Sequence, residues 1–171
     1  MNDTIKHGAR FVFFVLIQVL ILNQVELGGG TQIMIYPLFV LLLPVDISVF
    51  ALLLLSFALG ISIDAMSNTY GLHASSLLIV AYLRPVIFKL FAPRDGYDQV
   101  PETNIHNMGY QWFIRCFGLL LLIHHTWFFM LELFKLDEIG YLIQKISFSL
   151  PMSFVICILL QYLFIRKPKE S

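Results

Sequence analysis

The polar side chains best placed to do chemistry lie in residues 59–74, between two long apolar runs. The acid Asp64 and the imidazole His73 stand nine positions apart, with the amide of Asn68 between them. Such groups are costly beside lipid, so they should face other helices or a wet cavity. A proton relay or a ligand site would use them. The structural alternative is that Asp64 caps or binds backbone groups near the turn at 68–71 and His73 completes that network.

Gly60 lies four residues before Asp64, so both occupy one face of a helix. A small residue at this position would let a second helix approach closely. The alternative is a glycine that is merely tolerated near a helix end. We predict that Gly60, Asp64, Asn68, Gly71 and His73 form either a partner-binding surface or a structural polar network.

The adjacent residues His124 and His125 are the next candidates. Neighbouring side chains on a helix point about 100° apart, so the pair cannot easily bind one metal ion. No Cys or carboxylate lies at ligand spacing from them. Glu132, seven residues after His125, could share its helix face, but this is only weak evidence for a site. Packing with a hydrogen bond is the favoured role. Cys116 and Cys157 lie inside apolar runs and are predicted to be small core residues, not a disulfide or a metal site.

The sequence lacks the usual catalytic motifs. It has no Gly-x-Ser-x-Gly, no His-Glu-x-x-His and no phosphate-binding loop, since the glycines at 28–30 are not followed by lysine. Ser75 and Ser76 are only two and three residues from His73, which does not suit a nucleophile and its base. We therefore expect a protein that is not an enzyme, with no catalytic residue, no cofactor and no metal.

Composition places the chain in the membrane. It is 58% hydrophobic and 13% charged, with a mean hydropathy of +0.82, whereas soluble domains carry roughly 45–50% apolar and about 25% charged residues. The apolar runs do not alternate in polarity, which favours helices over a β-barrel. A net charge of zero gives no attraction to nucleic acid. The predicted class is an all-α polytopic membrane protein, with residues 1–171 as a single integral membrane domain.

Apolar runs and breakers predict six transmembrane helices, the second either short or re-entrant. Their approximate ranges are 10–25, 32–44, 47–64, 71–91, 110–133 and 145–165. The second run has only eleven residues before Pro44, against the roughly 20 that a span needs. In the fourth, Pro85 should kink or end the helix. Arg84 and Lys89 should snorkel to the headgroup layer.

Basic residues predict the orientation. With six spans and a cytoplasmic N-terminus, nine basic residues lie inside and two outside, as the positive-inside rule requires. The nine are Lys6, Arg10, Arg84, Lys89, Arg94, Arg115, Arg166, Lys167 and Lys169, and the two are Lys135 and Lys145. If the second segment is re-entrant, the count falls to five and one basic terminus lies outside. The six-span interpretation places both termini in the cytoplasm and residues 64–73 toward the extracytoplasmic side.

Two motif blocks resemble a known family. The first is Gly60-x-x-x-Asp64-x-x-x-Asn68-Thr69-x-Gly71-x-His73-Ala74, and the second is Tyr82-x-Arg84-Pro85 followed by Pro93-Arg94-Asp95-Gly96-Tyr97. Together with the length, the six-run layout and the short termini, they resemble the rod shape-determining protein MreD family, in its Bacteroidetes-like form. The first block is the more specific of the two.

The resemblance implies a non-enzymatic subunit of the cell-elongation machinery in the cell inner membrane. Family members associate with MreC, a bitopic membrane protein with a periplasmic domain, and through it with peptidoglycan synthases and the MreB cytoskeleton. The implied fold is similar to the six-helix S-components of energy-coupling-factor vitamin transporters. Arg84, Pro85, Arg94, Asp95 and Gly96 are then expected to form a motif at the cytoplasmic face.

Two other functions stay open. The implied fold and the extracytoplasmic placement of residues 64–73 also suit a substrate-binding subunit of a vitamin-type uptake transporter, which would need an outward-facing pocket with aromatic walls. Alternatively, Arg84, Lys89 and Arg94 could hold a lipid-linked precursor at the cytoplasmic face, where anionic headgroups lie. Positive charge that only sets the topology is the simpler explanation of those three residues.

Overall fold

The computed structural model of the chain describes residues 3–25, 27–97, 100, 102–134 and 136–165. Over these residues the secondary structure is helical, with no strand. The helices are α1 (Asp3–Leu20), α2 (Pro37–Leu42), α3 (Val49–Ser67), α4 (Leu72–Leu90), α5 (Ile105–Met108), α6 (Tyr110–Leu133) and α7 (Ile139–Phe164), with short 3-10 turns at Leu22–Gln24 and Leu136–Glu138. The predicted all-α class is confirmed.

Within the described part of the chain, five helices are long and apolar enough to cross a membrane: α1, α3, α4, α6 and α7. They indicate a multi-pass membrane protein. Helix α6 begins and ends as predicted, whereas α1 and α7 begin at Asp3 and Ile139, well before the predicted 10 and 145. The basic residues that suggested those later starts lie within the helices, because they pair with acids elsewhere: Lys6 with Glu102 and Lys145 with Glu132.

The prediction of a second helix over 32–44 is wrong for the first half of that range. Residues 31–35 are not helical, and only Pro37–Leu42 form a helix, α2. Proline favours the first turn of a helix and cannot continue one, so Pro37 begins α2 and Pro44 follows its end. All six residues of α2 are buried. The segment 31–44 therefore lies inside the helix bundle, not at its lipid-facing surface.

Side chains from α1 and α7 satisfy the non-helical backbone of this buried segment. The N–H groups of Gln32 and Met34 donate to the hydroxyls of Ser149 and Ser153, at 3.0 and 2.9 Å. The amide of Gln18 donates to the carbonyl of Ile33 at 2.8 Å and accepts from the N–H of Ile35 at 3.1 Å. Irregular backbone at membrane depth is tolerated only where protein partners replace water in this way.

The far end of the same segment is held by Arg84, which contradicts the snorkelling prediction. Arg84 is only 2% exposed. Its guanidinium donates to the carbonyls of Leu41, Leu43 and Pro44, which the end of α2 leaves without helical partners. The hydroxyl of Thr103 adds a bond of 2.6 Å to the Leu41 carbonyl. Arg84 therefore points into the protein, while Lys89 is exposed as predicted.

Helix α4 does not end at Pro85 but continues to Leu90. The next turn is held by packing, because Ile87 and Phe88 are both buried in the core. Phe88 also stacks on Tyr97 in the following loop, with ring centroids 5.6 Å apart, and its carbonyl accepts from the Tyr97 hydroxyl at 2.7 Å. Proline within a membrane helix is tolerated where neighbouring elements pack around it.

Contacts define two ends of the bundle. At the first, which we call the Asp64 end, the amide of Asn23 after α1 donates to the hydroxyl of Ser67 at the end of α3, at 2.8 Å. The amide of Gln32 donates to Glu132 in α6, also at 2.8 Å. The buried segment 31–44 thus begins at the Asp64 end and runs to Arg84.

At the second end, which we call the Glu102 end, several charged side chains lie together. Lys6 and Arg10 of α1 both form ion pairs with Glu102 in the loop before α5. Burial alone would raise the pKa of Glu102, but hydrogen bonds from Arg10 and Lys6 outweigh it and lower the pKa below its usual value. The predicted topology also uses Lys135, Arg166, Lys167 and Lys169, which lie outside the described residues.

Replacing Glu102 with glutamine should remove an acid-sensitive part of the stability. Because the lowered pKa means that folding favours the carboxylate, its contribution is present above the usual carboxyl pKa and is lost as the pH falls through the lowered value. Thermal unfolding in detergent over a pH series measures this. The wild-type protein should lose its advantage over Glu102→Gln on acidification, and a difference that stays constant with pH would contradict the ion-pair role.

Candidate functional site

Asp64 is a side-chain cap for the helix that follows it. Its carboxylate accepts hydrogen bonds from the N–H of Ala74 at 2.8 Å, from the N–H of His73 at 3.1 Å and from the hydroxyl of Thr69 at 2.6 Å. The first two N–H groups belong to the first turn of α4, which has no helical acceptor for them. The carboxylate is 3% exposed. The structural alternative predicted for Asp64 is therefore what the geometry shows.

Two members of the predicted network act through the backbone. Asn68 ends α3 in the left-handed conformation, with φ of 56°, and its side chain is exposed. Gly71 begins α4 with φ of 93°, a region that suits glycine. These two residues make the sharp reversal between α3 and α4. Asn68 does not contribute to a buried polar site.

His73 binds Tyr36 instead of completing the Asp64 network through its ring. Nδ1 of His73 lies 2.6 Å from the hydroxyl of Tyr36, and both residues are buried. The ring of Tyr36 then packs edge-on against His124, with centroids 5.0 Å apart. Neither ring nitrogen of His124 has a hydrogen-bond partner within the described part of the chain. The buried segment thus brings together two histidines that the sequence separates by fifty-one positions.

His125 is held as predicted, by packing and hydrogen bonds. Nδ1 donates to the Leu121 carbonyl at 2.9 Å, so Nε2 accepts from the Ser153 hydroxyl at 3.2 Å. Ser153 in turn accepts from Met34, which ties α6, α7 and the buried segment together. Cys116 and Cys157 are free and fully buried, in agreement with their predicted role as small core residues.

Gly60 permits direct backbone contact between α3 and α4. A Cβ atom added at Gly60 would lie 2.7 Å from the Ala74 nitrogen and 2.9 Å from the His73 carbonyl carbon, and closer still to the Ala74 Cα. Real Cβ atoms do not approach backbone this closely, so no larger residue fits. Gly60, Asp64 and the start of α4 therefore form one packed junction. The predicted close approach of a second helix is confirmed.

A cavity of about 620 Å³ opens above this junction at the Asp64 end. His73 and Phe128 contribute to its inner wall, and the loop at 27–33 contributes to another. Polar side chains around it include Asn23, Gln24, Thr31, Gln32, Ser67, Thr69 and Glu132. The volume lies within the roughly 300–1,000 Å³ of small-molecule sites. From the described lining residues, a ligand there would meet amides, hydroxyls, one carboxylate and one imidazole.

Glu132 carries the charge at the mouth of this cavity, and Lys145 partly neutralises it. Their side chains form an ion pair in which Lys145 is only 5% exposed. The Lys145 ammonium also lies 4.7 Å from the ring centre of Phe129 and 5.7 Å from that of Tyr141. An ammonium between aromatic faces and a carboxylate is well stabilised. Lys145 was expected in an outer loop, but it lies in α7 and links this helix to α6 through its ion pair with Glu132.

The structure does not bring the second motif block together as one surface. Arg84 is buried against α2, while Arg94 and Asp95 lie exposed in the turn after α4 and Pro85 faces outward from the helix. Gly96 has φ of 69° within that turn. A headgroup site made of Arg84, Lys89 and Arg94 would need Arg84 at the surface. The geometry therefore removes Arg84 from the lipid-linked precursor hypothesis.

The sequence prediction missed Gln18, Tyr36, Ser149 and Ser153, which hold the buried segment. A signal was present for part of this set. Ser149, Ser153, Cys157 and Gln161 recur every four residues and so share one face of α7. A polar stripe on an otherwise apolar helix indicates a partner with unsatisfied backbone groups. No comparable pattern marks Gln18 or Tyr36.

Replacing Asp64 with alanine should destabilise the α3–α4 junction. The change removes three hydrogen bonds to a buried carboxylate and leaves the first turn of α4 uncapped, a loss of at least about 2 kcal/mol. Thermal unfolding in detergent measures it. Asp64→Asn should lose less, because its amide oxygen can still accept from Thr69 and His73 while its NH2 group faces the N–H of Ala74. Ser62→Ala, a change on the same helix that removes only a bond to its own helix backbone, is the control.

Stability of Asp64→Ala equal to that of Ser62→Ala would contradict the capping role.

Comparison of the chain with protein families, characterised proteins and solved structures finds no match.

Proposed function

We propose that the chain is a non-enzymatic membrane subunit of the cell-elongation machinery, of the MreD type, which binds an MreC-like bitopic protein. The observation that carries the proposal is the α3–α4 junction. Gly60, Asp64, Gly71 and His73, the residues on which the resemblance rests, serve helix packing, capping and the reversal between the helices. A motif that stabilises the packing of a helix bundle suits a scaffold protein to which another protein binds.

In this proposal the chain crosses the membrane six times, with both termini in the cytoplasm. Five crossings are the long helices, and the sixth is the buried segment 31–44. The eight non-helical and six helical residues of this segment span at most about 37 Å, against a hydrocarbon core of ~30 Å. The segment's contacts run from Gln32 beside Glu132 to Leu43 beside Arg84. Six crossings are also the number expected from the implied S-component fold.

Cysteine labelling tests this orientation. Leu27→Cys places a thiol in the exposed loop at the Asp64 end, and Arg94→Cys places one in the exposed turn at the other end. A membrane-impermeant maleimide should label Leu27→Cys in intact cells and Arg94→Cys only after permeabilisation. The native Cys116 and Cys157 are buried, so the unmodified protein is the blank. Labelling of Arg94→Cys in intact cells would refute the assignment.

Affinity capture in the native host tests the partner. A single-span protein with an extracytoplasmic domain of the MreC type should copurify with the tagged chain, and depletion of the chain should turn rods into round cells. Asp64→Ala and Gly60→Leu should weaken both. Gly118→Ala, a helical glycine in ordinary contact with Phe154, should leave both unchanged. Normal association and shape for all three variants, at equal membrane abundance, would count against the proposal.

A second candidate, the substrate-binding subunit of a vitamin-type transporter, is favoured by the cavity of about 620 Å³ at the Asp64 end. Its polar lining suits a small hydrophilic ligand. Phe128 and His73 are the aromatic rings in the described lining, so the aromatic walls expected of such a carrier are sparse. This reading therefore ranks below the scaffold.

A thermal-shift screen of the purified protein against vitamins separates the two candidates. A ligand that binds only the folded state raises its melting temperature. If the protein is a carrier, a vitamin should raise the melting temperature, and Gln32→Ala, a change in the cavity lining, should reduce that rise. The scaffold function requires the partner's extracytoplasmic and membrane domains to raise the melting temperature instead. No shift with any vitamin would exclude the carrier within the set screened.

A further inference from the structure

A second cavity lies at the Glu102 end, between α1 and α7. Its volume is about 470 Å³. Apolar side chains of α1, α2 and α7 line most of it: Phe13, Phe14, Leu38, Leu42, Leu160 and Phe164. Helix α2 forms the floor and the two long helices form the walls. We call this cavity the α1–α7 groove.

The groove is too narrow for a protein helix. The rings of Phe13 and Phe164 approach each other from opposite walls, with centroids 5.2 Å apart. A helix with its side chains is roughly 10–12 Å across. Because these two rings are in edge-to-face contact, the walls meet at that point and a partner's transmembrane segment cannot enter. The space of about 470 Å³ beside this contact suits a single hydrocarbon chain. The occupant that suits the apolar part is therefore a lipid acyl chain.

The rim of the groove at the Glu102 end carries an excess of positive charge. Lys6 and Arg10 both line it, and together they face one carboxylate, that of Glu102. The Lys6 side chain is 35% exposed and that of Arg10 17% exposed, so both are accessible at the rim. Among the described side chains at this rim, two cations face one anion beside an apolar channel, which leaves a net charge of +1. Basic pockets between membrane helices attract anionic headgroups.

Gln161 adds an unpartnered donor at the same place. It is 1% exposed and lines the groove. Its Oε1 accepts from the Ile105 N–H at 2.9 Å, but its Nε2 has no hydrogen-bond partner among the residues that the structure describes. A buried amide donor without an acceptor is unfavourable. An ester carbonyl or phosphate oxygen between the acyl chain and the rim would accept its hydrogen bond.

We propose that the α1–α7 groove binds one glycerophospholipid with an anionic headgroup. The phosphate lies against Lys6 and Arg10, the glycerol ester region accepts from Gln161 and one acyl chain fills the apolar channel. The site is independent of the proposed scaffold function, since it uses neither the α3–α4 junction nor the cavity at the Asp64 end.

Native mass spectrometry of the full-length, delipidated protein tests the site. The probes are phosphatidylglycerol and phosphatidylcholine with the same acyl chains. Phosphatidylglycerol should form a one-to-one adduct at lower concentration than phosphatidylcholine. Lys6→Gln, which keeps the Arg10–Glu102 pair, should weaken phosphatidylglycerol binding about fivefold. Gln161→Glu keeps the acceptor for Ile105 and replaces the donor by a negative charge, so it should abolish the preference between the two lipids.

Lys89→Gln is the matched control, because Lys89 is an exposed lysine at the same end of the bundle but does not line the groove. It should leave phosphatidylglycerol binding unchanged. Equal binding of the two lipids by the wild-type protein would overturn the proposal. So would a loss for Lys89→Gln as large as that for Lys6→Gln, or a dimer of this chain whose formation excludes the lipid adduct.

Discussion

Replacing Gly60 with leucine should separate α3 from α4 and lower the melting temperature of the detergent-solubilised protein by roughly 10 °C. The reason is geometric. A Cβ at this position already overlaps the backbone at Ala74, and backbone cannot swing aside as the end of a flexible side chain can. The helices would have to move apart, and the Asp64 carboxylate would then lose its bonds to the first turn of α4.

A matched pair of alanine variants isolates this contact. Gly60→Ala should lower the melting temperature, since even one methyl group has no room. Gly118→Ala should leave it unchanged or raise it, because the nearest atom to its Cβ is a Phe154 ring carbon at 3.9 Å and alanine favours a helix by about 1 kcal/mol over glycine. Equal effects of the two changes would show that helix propensity, not the α3–α4 contact, decides the outcome.

The long helices were predictable because each contains a long apolar run, and α6 agrees with its prediction at both ends. The buried segment 31–44 was not predictable in the same way. Its apolar residues fit a helix as well as any other buried conformation, since a segment buried on all sides shows no periodicity. What decides its form is the polar stripe on α7 and Gln18 on α1, which are distant in sequence.

In the candidate site, too, contacts between residues close in sequence were predictable and contacts between distant residues were not. Asp64 and Gly60 were identified from local spacing, because the groups they meet in α4 follow within fourteen residues. Tyr36 and His124 were not linked to His73, because their contact depends on the path of the buried segment. The position of Arg84 was predicted wrongly for a related reason. A basic residue beside a proline near a helix end resembles a snorkelling residue unless an uncapped helix end lies opposite it.

Arg84→Met should have the second large effect, a fall in the melting temperature of roughly 5–10 °C. The methionine fills much of the arginine's apolar volume, so packing is largely kept. The loss comes from the carbonyls of Leu43 and Pro44, which would be left without the guanidinium donor in a buried environment. Leu41 keeps its bond from Thr103, so the end of α2 should loosen without releasing the whole segment.

Arg84→Lys and Lys89→Met decide between this role and a topological one. If Arg84 only supplied positive charge at a headgroup layer, lysine would replace it fully and Lys89→Met would resemble Arg84→Met. If Arg84 caps α2, lysine should recover only part of the stability. The lysine side chain is shorter, so its ammonium ends short of the position of Arg84 Nη2, the one nitrogen that donates to all three carbonyls, and a strongly hydrated ammonium is costlier to bury. Lys89→Met should then be neutral, since Lys89 is exposed. Full recovery by lysine would mean that the carbonyls of α2 do not depend on Arg84, and that the buried segment is held by α1 and α7 alone.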